Sequence, residues 1–479
     1  MKRILANSEA SFLNTGYGNY FHEILKRIHS NYGDRFEIAE LASYASPDDP
    51  RCNQVPWRIY PVMPGKDEKG YQQVYEQDAI NQFGKARWES TCLDWQPDII
   101  FSTRDAWYEK FVVFSPYRRF YSLAWMVTCD SYPNNEEWLD DYRMSNAILT
   151  YTDWAADVLK YQTGNKLSFR GIAPAGADEN IFKPLPGKSQ LKQMVGLHPD
   201  TLVIGMVARN QMRKRFPDLF EGFAKFLVEG PKDLIGRTIL YLHTAWPDLG
   251  WDIPSLLKDF GLGNKVMFTY ICRNQGCGTI FSSFFQDAKG VCKKCGRCEA
   301  TIVNSHNGIP SPVLNNIYNL MDVYVQYANA EGQSISLAEA CYAGLPTMAV
   351  NYSGMEDYIQ KTGTIPINVK KFHQEVTTGR YFAEPDIDDF IKKLTDILSL
   401  PSSLRQSYGF KSHELAKIHF NWDTSTKKWV EVFDSLPNKN WKESARLIQP
   451  NLNIPQGLNN EQFVHYCVVN VLGRQDLIN

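Results

Sequence analysis

The sequence is most informative at Glu331-Gly332-Gln333-Ser334-Ile335-Ser336-Leu337-Ala338-Glu339 and the adjoining Ala340-Cys341-Tyr342-Ala343-Gly344-Leu345-Pro346. Two glutamates separated by seven residues flank a loop that enters a helix, predicted over residues 334–343. The first-turn N–H groups of such a helix form a binding site for phosphate. The stretch therefore predicts backbone N–H groups that donate hydrogen bonds to a phosphate, flanked by two carboxylates that accept hydrogen bonds from sugar hydroxyls. Taken alone, it also fits a capped helix whose glutamates face solvent.

A basic loop provides a second, independent signal. Arg209 and Lys214 follow a predicted strand at residues 202–207 and stand five positions apart. Two fixed cations at a strand end suit a diphosphate leaving group, whose charge grows as its bond to a sugar breaks. Arg213 and Arg215 in the same loop also fit a solvated basic loop.

Outward from these motifs, short apolar strands alternate with helical patterns. This alternation favours α/β architecture with parallel sheets covered on both faces. A Pro/Gly-rich passage at 174–187 separates two similar sets. We expect an N-terminal domain over residues 1–180, a second domain over 181–420, and a crossing helix plus helical tail over 421–479. The predicted strands cover residues 2–6, 98–102, 147–151, 202–207, 238–242, 265–269 and 323–326, and the last predicted helix covers 461–472.

Composition sets the class of protein. The chain is 43% hydrophobic and carries a formal net charge of −2, so a nucleic-acid or membrane partner would have to be met by a local patch. It shows neither a secretory leader nor an apolar run of about 20 residues that could span a bilayer. We therefore expect a soluble, cytoplasmic protein without a transmembrane segment.

Five of the ten cysteines lie close together in the sequence. Cys272-x4-Cys277 and Cys292-x2-Cys295 have the spacing of a four-cysteine zinc ribbon, here an insertion over residues 270–302. We expect these four thiolates to bind a structural zinc ion, with Cys298 as a substitute ligand. Such a site has no open coordination position, so a catalytic zinc is not expected there.

Taken together, these motifs resemble a known family. Arg-x4-Lys, Glu-x7-Glu with its Ala-Gly-x-Pro tail, the Pro-x-Gly-x-Asp linker at 174–178 and the glycine-rich turn at 15–19 resemble the retaining glycosyltransferases of family 4. The resemblance covers roughly residues 1–436. It implies the GT-B fold, in which two Rossmann-like domains face a cleft. It also implies hexosyl transfer from a UDP-, GDP- or ADP-sugar to an acceptor hydroxyl, with retained configuration and no catalytic metal.

The resemblance assigns roles to individual residues. It implies that Arg209 and Lys214 hold the diphosphate, that Glu331 contacts the transferred sugar and that Glu339 binds the ribose hydroxyls. Its phosphate cap is the backbone of Gln333, Ser334, Ile335 and Ser336, and its closing loop carries Gly16 and Gly18. Members of the family often carry a histidine in the segment matching residues 126–133, where this chain has none. Asp130 is the candidate in its place, or else a turn carboxylate.

Several alternatives remain open at this stage. The acceptor could be a glycan, a small molecule, a protein or a hydroxymethylated DNA base. The chain could instead be a nucleic-acid-binding zinc-ribbon protein on an α/β scaffold, or a sugar epimerase or phosphorylase of the same fold. The aromatic run at 107–125 could stack an acceptor, although its spacing favours the core. Asp386-Ile387-Asp388 resembles a metal-binding D-x-D motif but is better explained as a helix start.

Overall fold

The computed structural model describes residues 1–285, 290–292, 294–304, 308–444 and 457–466. Its first sheet has seven parallel strands in the order β3-β2-β1-β4-β5-β6-β7. The strands are Lys2–Glu9 (β1), Phe36–Ser43 (β2), Arg58–Pro61 (β3), Ile99–Arg104 (β4), Ser122–Val127 (β5), Ala147–Thr150 (β6) and Phe169–Ile172 (β7).

The second sheet repeats this plan with an addition at one edge. Its order is β11-β10-β9-β8-β13-β14-β15, and β12 also pairs with β10. Only β11 and β12 are antiparallel to their neighbour. The strands are Leu202–Val207 (β8), Thr238–His243 (β9), Val266–Cys272 (β10), Ile280–Phe284 (β11), Ala300–Ile302 (β12), Val323–Gln326 (β13), Thr347–Val350 (β14) and Ile365–Ile367 (β15); Val369–Gln374 (β16) and Tyr381–Pro385 (β17) form a separate hairpin.

Helices cover both sheets. They are Gly16–Tyr32 (α1), Lys69–Gln77 (α2), Lys85–Trp95 (α3), Lys110–Val113 (α4), Glu136–Arg143 (α5), Asp153–Thr163 (α6), Lys188–Met194 (α7), Phe216–Glu229 (α8), Lys232–Ile235 (α9), Ile253–Asp259 (α10), Ser311–Leu320 (α11), Ile335–Tyr342 (α12), Met355–Thr362 (α13), Ile387–Ser399 (α14), Ser402–His419 (α15), Trp422–Ser435 (α16) and Asn460–Tyr466 (α17). Short 3-10 turns lie at Pro50–Asn53, Ala79–Phe83, Ala106–Tyr108, Arg118–Phe120, Met212–Lys214 and Trp441–Glu443.

The sequence explains why these elements form. Strands β5 and β8 are buried along their whole length, as expected of parallel strands with helices on both faces. Helix α16 returns to the first sheet, where the indole N–H of Trp429 donates to the hydroxyl of Tyr20 at 2.8 Å. Asp386 caps α14 by accepting hydrogen bonds from backbone N–H groups, which confirms that the D-x-D sequence is a helix start.

None of the helices in the described ranges has the length and apolar character that crossing a bilayer requires.

One sequence-based expectation needs adjustment, and another extends beyond the described residues. The aromatic run at 107–125 is only partly core: Trp125 is fully buried, whereas Trp107 and Phe114 are 48% and 58% exposed. Their side chains therefore belong to the surface, because the 3-10 turn and short helix that carry them lie outside the sheet. The helix predicted at 461–472 is present as α17 over residues 460–466, and residues 467–472 lie outside the described part of the chain.

The strand orders locate the functional region. In each sheet the order reverses between two neighbouring strands, β1 and β4 in the first, β8 and β13 in the second. Open parallel sheets bind ligands at the carboxyl ends of strands at such a point. Residues after all four strands, among them Asp105, Arg209 and Glu331, line one cleft of about 630 Å³. The two reversal points therefore share one cavity.

Candidate active site

A buried ion pair lies in the wall of this cleft. Lys214, in the turn after β8, places its Nζ in contact with Oε1 of Glu331, which follows β13. The two side chains are only 8% and 4% exposed, and Nε of Arg213 lies 3.6 Å from the other carboxylate oxygen. Burial opposes ionisation of Glu331, but the two cations hold its pKa below the ordinary value. Glu331 is therefore a fixed negative charge.

The backbone around Glu331 is equally constrained. Its N–H donates to Oγ of Ser353 at 2.9 Å, and its carbonyl accepts the N–H of Gly354 at 2.9 Å. A Cβ at Gly354 would lie 2.3 Å from the carbonyl oxygen of Gly332, and one at Gly332 would lie 2.8 Å from Thr128 of the first domain. Glycine at both positions lets the Glu331 loop approach the opposite wall of the cleft.

Helix α12 starts directly after this loop. Ser334 caps it by accepting the N–H of Leu337 at 3.3 Å. Ile335 and Ser336 line the cleft at positions where backbone N–H groups have no intrahelical partner. Oγ of Ser336 accepts a hydrogen bond from Tyr324 at 3.0 Å. The helix thus presents its positive end to the cleft, as the sequence predicts.

Glu339 lies one turn into α12 and also faces the cleft. The hydroxyl of Tyr318 donates to its Oε2 at 2.7 Å. Burial raises the pKa of Glu339 to about 7, although the hydrogen bond from Tyr318 acts in the opposite direction. The carboxyl group therefore changes charge near neutral pH, and among the described residues it pairs with no cation.

Arg209 lines the cleft in a bidentate pair with Asp248. Its Nε and one terminal nitrogen lie 2.9 and 3.0 Å from the two carboxylate oxygens. These hydrogen bonds, with the charges of Asp248 and Glu9, raise the pKa of Arg209 above its ordinary value. A guanidinium has five N–H donors, so this pairing leaves donors for a second anion.

Asp130 is part of a contact between the two domains. Its Oδ1 accepts hydrogen bonds from Arg380 at 2.9 Å and from Ser131 at 2.8 Å. Arg380 belongs to the turn between β16 and β17, and the next residue, Tyr381, donates its N–H to the carbonyl of Tyr132 at 2.7 Å. The hairpin of the second domain therefore reaches across and holds Asp130 at the cleft.

The two glycines of the glycine-rich turn have different surroundings. Gly16 lines the cleft. Gly18 is inside the first turn of α1, where its N–H donates to Oγ1 of Thr15 at 3.1 Å. A Cβ at Gly18 would lie 2.5 Å from the carbonyl oxygen of Leu13, so this glycine serves the close packing of the turn, and it is not among the residues that line the cleft.

Gln333 binds the interdomain linker with its side chain. Its Oε1 accepts the N–H of Ala175 at 2.6 Å, and its Nε2 donates to the carbonyl of Ala175 at 2.9 Å. Only its backbone therefore remains for the cap of a phosphate. The side chain instead fixes the linker against the Glu331 loop, a role that the motif did not suggest.

Several residues that line the cleft were not found from the sequence, among them Asp105, Tyr17 and His243. Asp105 follows β4, and Tyr17 donates its hydroxyl hydrogen to Oδ1 of Asp105 at 2.9 Å. Burial and the nearby charge of Asp130 raise the pKa of Asp105 to about 6. His243 ends β9 beside Thr269, at 3.0 Å, and burial lowers its pKa to about 4. Asp105 and His243 share one signal, a position at the carboxyl end of a parallel strand, whereas Tyr17 lies in the first turn of α1.

Four of the clustered cysteines come together in space. The Sγ atoms of Cys272, Cys277, Cys292 and Cys295 all lie within 4.8 Å of one another. The separations are 3.7 Å between Cys272 and Cys295 and 3.8 Å between Cys277 and Cys292. Cys298 is exposed and lies outside this group. The four thiols named from the sequence spacing thus form one cluster, at the edge of the second sheet where β10 meets β12.

Comparison with known proteins gives a family match over one segment of the chain and structural matches over 91% of it. Residues 302–413 match the family model described as Glycosyl transferases group 1. No curated protein matches the sequence significantly.

Solved structures match over most of the chain. They include sucrose-phosphate synthase from Thermosynechococcus elongatus, at 14% identity over 91% of this chain and 99% of that one, with a TM-score of 0.66. Anabaena HepE in complex with UDP and glucose shares 14% identity over 91% and 100%, with a TM-score of 0.61. A glycosyltransferase from Rickettsia africae shares 11% over 91% and 98%, with a TM-score of 0.59. At these identities the similarity establishes the fold, and the predicted two-domain GT-B fold is confirmed.

Proposed function

We propose that this protein is a retaining glycosyltransferase that moves a hexosyl group from a nucleotide-diphosphate sugar to an acceptor hydroxyl. The observation that carries the proposal is the meeting, in one cleft, of the Lys214–Glu331 pair with the open start of α12. The group 1 match covers Glu331 and α12, whereas Lys214 lies before the matched residues. The HepE structure, described as a complex with UDP and glucose, supports a uridine nucleotide as the first donor to test.

The charges of the cleft suit a diphosphate that leaves as an anion. Lys214 is buried, and Arg209 retains donors beyond its pair with Asp248. Preorganised cations in a cleft shielded from water stabilise developing negative charge strongly. In our proposal these two cations hold the diphosphate, and the N–H groups at the start of α12 cap its distal phosphate.

In our proposal, three carboxylates of the cleft contact the sugar and the ribose of the donor. Glu331, held ionised by its two cations, accepts hydroxyl hydrogens of the transferred sugar. Glu339 accepts those of the ribose, and Asp130 lies at the first-domain side of the sugar. During transfer the bond from the anomeric carbon to the phosphate oxygen breaks, and a bond to the acceptor oxygen forms on the same face. The acceptor's proton passes to the departing phosphate. Because fixed cations provide the neutralising charge, we expect turnover without added Mg²⁺.

We also propose that the cysteine cluster binds a structural zinc ion. Zinc–sulfur bonds of about 2.3 Å in a tetrahedron place neighbouring sulfurs about 3.8 Å apart. The measured separations of 3.7 and 3.8 Å fit this requirement. Four thiolates leave no open coordination position, so the ion would stabilise the fold of residues 270–302 and take no part in transfer.

A donor screen tests the proposal. The protein is incubated with UDP-, GDP- and ADP-glucose, and release of the nucleoside diphosphate is followed by chromatography. We expect release from one of them, and a decrease of about 100-fold in Glu331→Ala, the effect of removing one group that stabilises a transition state. Glu229→Ala is the matched control, because Glu229 is an exposed glutamate at the end of α8. Full activity in Glu331→Ala, or release from none of the three donors, would contradict the proposal.

A further inference from the structure

One part of the cleft lies outside the donor site proposed above. Its first-domain wall carries three aromatic side chains, Tyr44, Phe83 and Tyr108, and the carboxylate of Glu9. All four line the same cavity as Arg209 and Glu331 but lie on the opposite domain from α12. A donor held by the second domain leaves this wall for another molecule.

The three rings contact one another and together make up the aromatic surface, in which Phe83 is tilted by 39° to Tyr108 and Tyr44 stands nearly perpendicular, at 79°, to Phe83. The ring centroids of Phe83 and Tyr108 are 3.7 Å apart, and those of Tyr44 and Phe83 are 6.1 Å apart. The ring of Tyr44 is 37% exposed, and its backbone is left-handed, with a φ of 63°. A bulky residue adopts this conformation at a cost, and such strain persists where the surrounding structure requires it. The chain thus keeps an aromatic ring at the cleft instead of in the core.

Glu9 adds an acceptor beside these rings. Among the residues that the structure describes, its buried Oε2 has no hydrogen-bond partner. The nearby Arg104 is directed elsewhere, since its guanidinium donates to the carbonyl of Ser8 at 2.7 Å. After burial itself, the charge of Glu9 contributes to raising the pKa of Tyr44, and it also acts on Arg209. Glu9 is therefore close both to the aromatic surface and to a cation of the proposed diphosphate site.

The aromatic rings and Glu9 together indicate which class of ligand fits this wall. A buried carboxylate oxygen without a partner needs a hydrogen-bond donor from a ligand. Aromatic rings pack against the apolar face of a ligand, and pockets lined by such rings use a few polar groups to fix the orientation of the ligand. A pyranose has both features, because its C–H bonds form an apolar face and its hydroxyls are donors. An anionic acceptor fits poorly, since the first-domain side of the cleft carries three carboxylates, Glu9, Asp105 and Asp130, against one arginine, Arg104.

We propose that Tyr44, Phe83, Tyr108 and Glu9 bind the acceptor, and that the acceptor is a neutral pyranoside. This inference rests on the proposed glycosyl transfer. The pyranose stacks on the aromatic surface and donates a hydroxyl hydrogen to Glu9. A second hydroxyl attacks the anomeric carbon of the donor, whose bond to the phosphate breaks while the proton passes to the departing phosphate.

Acceptor-dependent release of the nucleotide tests this assignment. Release from UDP-, GDP- and ADP-glucose is measured alone and then with glucose, methyl glucoside, maltose or cellobiose. Parallel reactions contain glucose 6-phosphate or a duplex with hydroxymethylated cytosine. We expect at least one neutral saccharide to raise the rate at least about tenfold above hydrolysis, because hydrolysis lacks an oriented acceptor. Stimulation by the phosphorylated sugar alone, by the DNA alone or by none of them would overturn the proposal.

Variants distinguish a specific loss of acceptor binding from a loss of folded structure that affects both substrates. Tyr44→Ala and Glu9→Gln should each raise the KM for the saccharide about tenfold, equivalent to about 1.4 kcal/mol of lost binding. Tyr44→Phe should restore the parent KM, because it keeps the ring. Phe114→Ala is the matched control: Phe114 is an exposed aromatic residue of the same domain outside the cleft. An equal rise in the KM values for donor and saccharide would overturn the proposal. Absence of any donor turnover in the parent protein would instead refute the proposed function, and this inference with it.

Discussion

Lys214 and Glu331, which are 117 positions apart in the sequence, form a buried ion pair in the wall of the cleft. Each follows a central strand of the second sheet, β8 and β13, and these strands are direct neighbours. Arg213 gives Glu331 a second cation at 3.6 Å. The strand order alone brings together the cation proposed for the diphosphate and the carboxylate proposed for the sugar.

The pair predicts a specific pattern of stability. Lys214→Met should lower the free energy of unfolding by about 3 kcal/mol, because it leaves the buried carboxylate of Glu331 with only the longer, 3.6 Å contact to Arg213. Adding Glu331→Gln to this variant should restore much of that loss without restoring transfer. Urea unfolding and donor turnover measure the two effects. Lys225→Met is the control, since Lys225 pairs with an exposed Asp388 and should change stability by less than about 0.5 kcal/mol. A double variant as unstable as Lys214→Met would contradict this interpretation.

Glu339 predicts a dependence of donor binding on pH. Its pKa of about 7 lies above the ordinary value of 4.5, so the carboxyl becomes protonated as the pH falls through 7. If the ionised form binds the ribose, the KM for the donor should be about tenfold higher at pH 6 than at pH 8. Glu339→Gln should remove this dependence. A KM for the donor that is constant from pH 6 to pH 8 in the parent protein would rule out the assigned role.

The same shift fixes the sign of an effect on stability. A carboxyl whose folded-state pKa is raised binds more protons in the folded than in the unfolded state between about pH 4.5 and 7. Its contribution to stability is therefore present at low pH and is lost as the pH rises through 7. The Glu339→Gln variant should lose less stability than the parent protein between pH 5 and pH 8, as measured by urea unfolding. An equal loss in both would contradict this explanation.

The contact between Asp130 and Arg380 predicts coupled effects on transfer. Asp130→Asn and Arg380→Gln should each lower kcat/KM about tenfold, because the first removes the carboxylate and the second removes the guanidinium that holds it at the cleft. Since the residues act as a pair, the double variant should be no worse than either single one. Arg143→Gln, at an exposed ion pair with Glu136, is the control. Multiplication of the two single losses in the double variant would show that the residues act independently.

The cysteine cluster predicts an effect of metal on the cleft. Strand β12 pairs with β10 beside Cys272 and leads directly to Val303, which lines the cleft. We expect one zinc per chain, and removal of it should raise the KM for the donor at least about tenfold, or about 1.4 kcal/mol of binding. Cys292→Ser should reproduce this loss. Cys298→Ser should retain both zinc and activity, because Cys298 lies outside the cluster. If the metal-free protein kept the KM of the parent protein for the donor, the cysteine cluster would have no effect on donor binding.

Local patterns in the sequence were sufficient for part of this picture. The strand at 202–207 and the start of α12 follow from short apolar and capping patterns that do not depend on distant residues. The spacing of the four cysteines identified their cluster for the same reason, since tetrahedral ligation restricts which spacings occur.

Other features depend on pairing between distant segments. Arg380 reaches Asp130 across 250 positions, and Gln333 reaches the linker across 158. Asp105 and Glu9 stand alone in the sequence without a motif, and only the strand order brings them to one cavity. Gly18 belongs to a glycine-rich turn but serves its packing, a distinction that requires the position of Leu13.

We propose that Lys214 and Glu331 act in the transfer of a sugar from a nucleotide donor, and that the sugar keeps its anomeric configuration. Proton NMR spectra recorded during the first minutes of donor consumption test it most directly, because the anomeric coupling identifies the first product formed. With an α-linked nucleotide-glucose, the parent protein should form an α-anomeric product, and Lys214→Met should form almost none. A first product with β configuration, or equal rates of product formation in the two proteins, would contradict the claim.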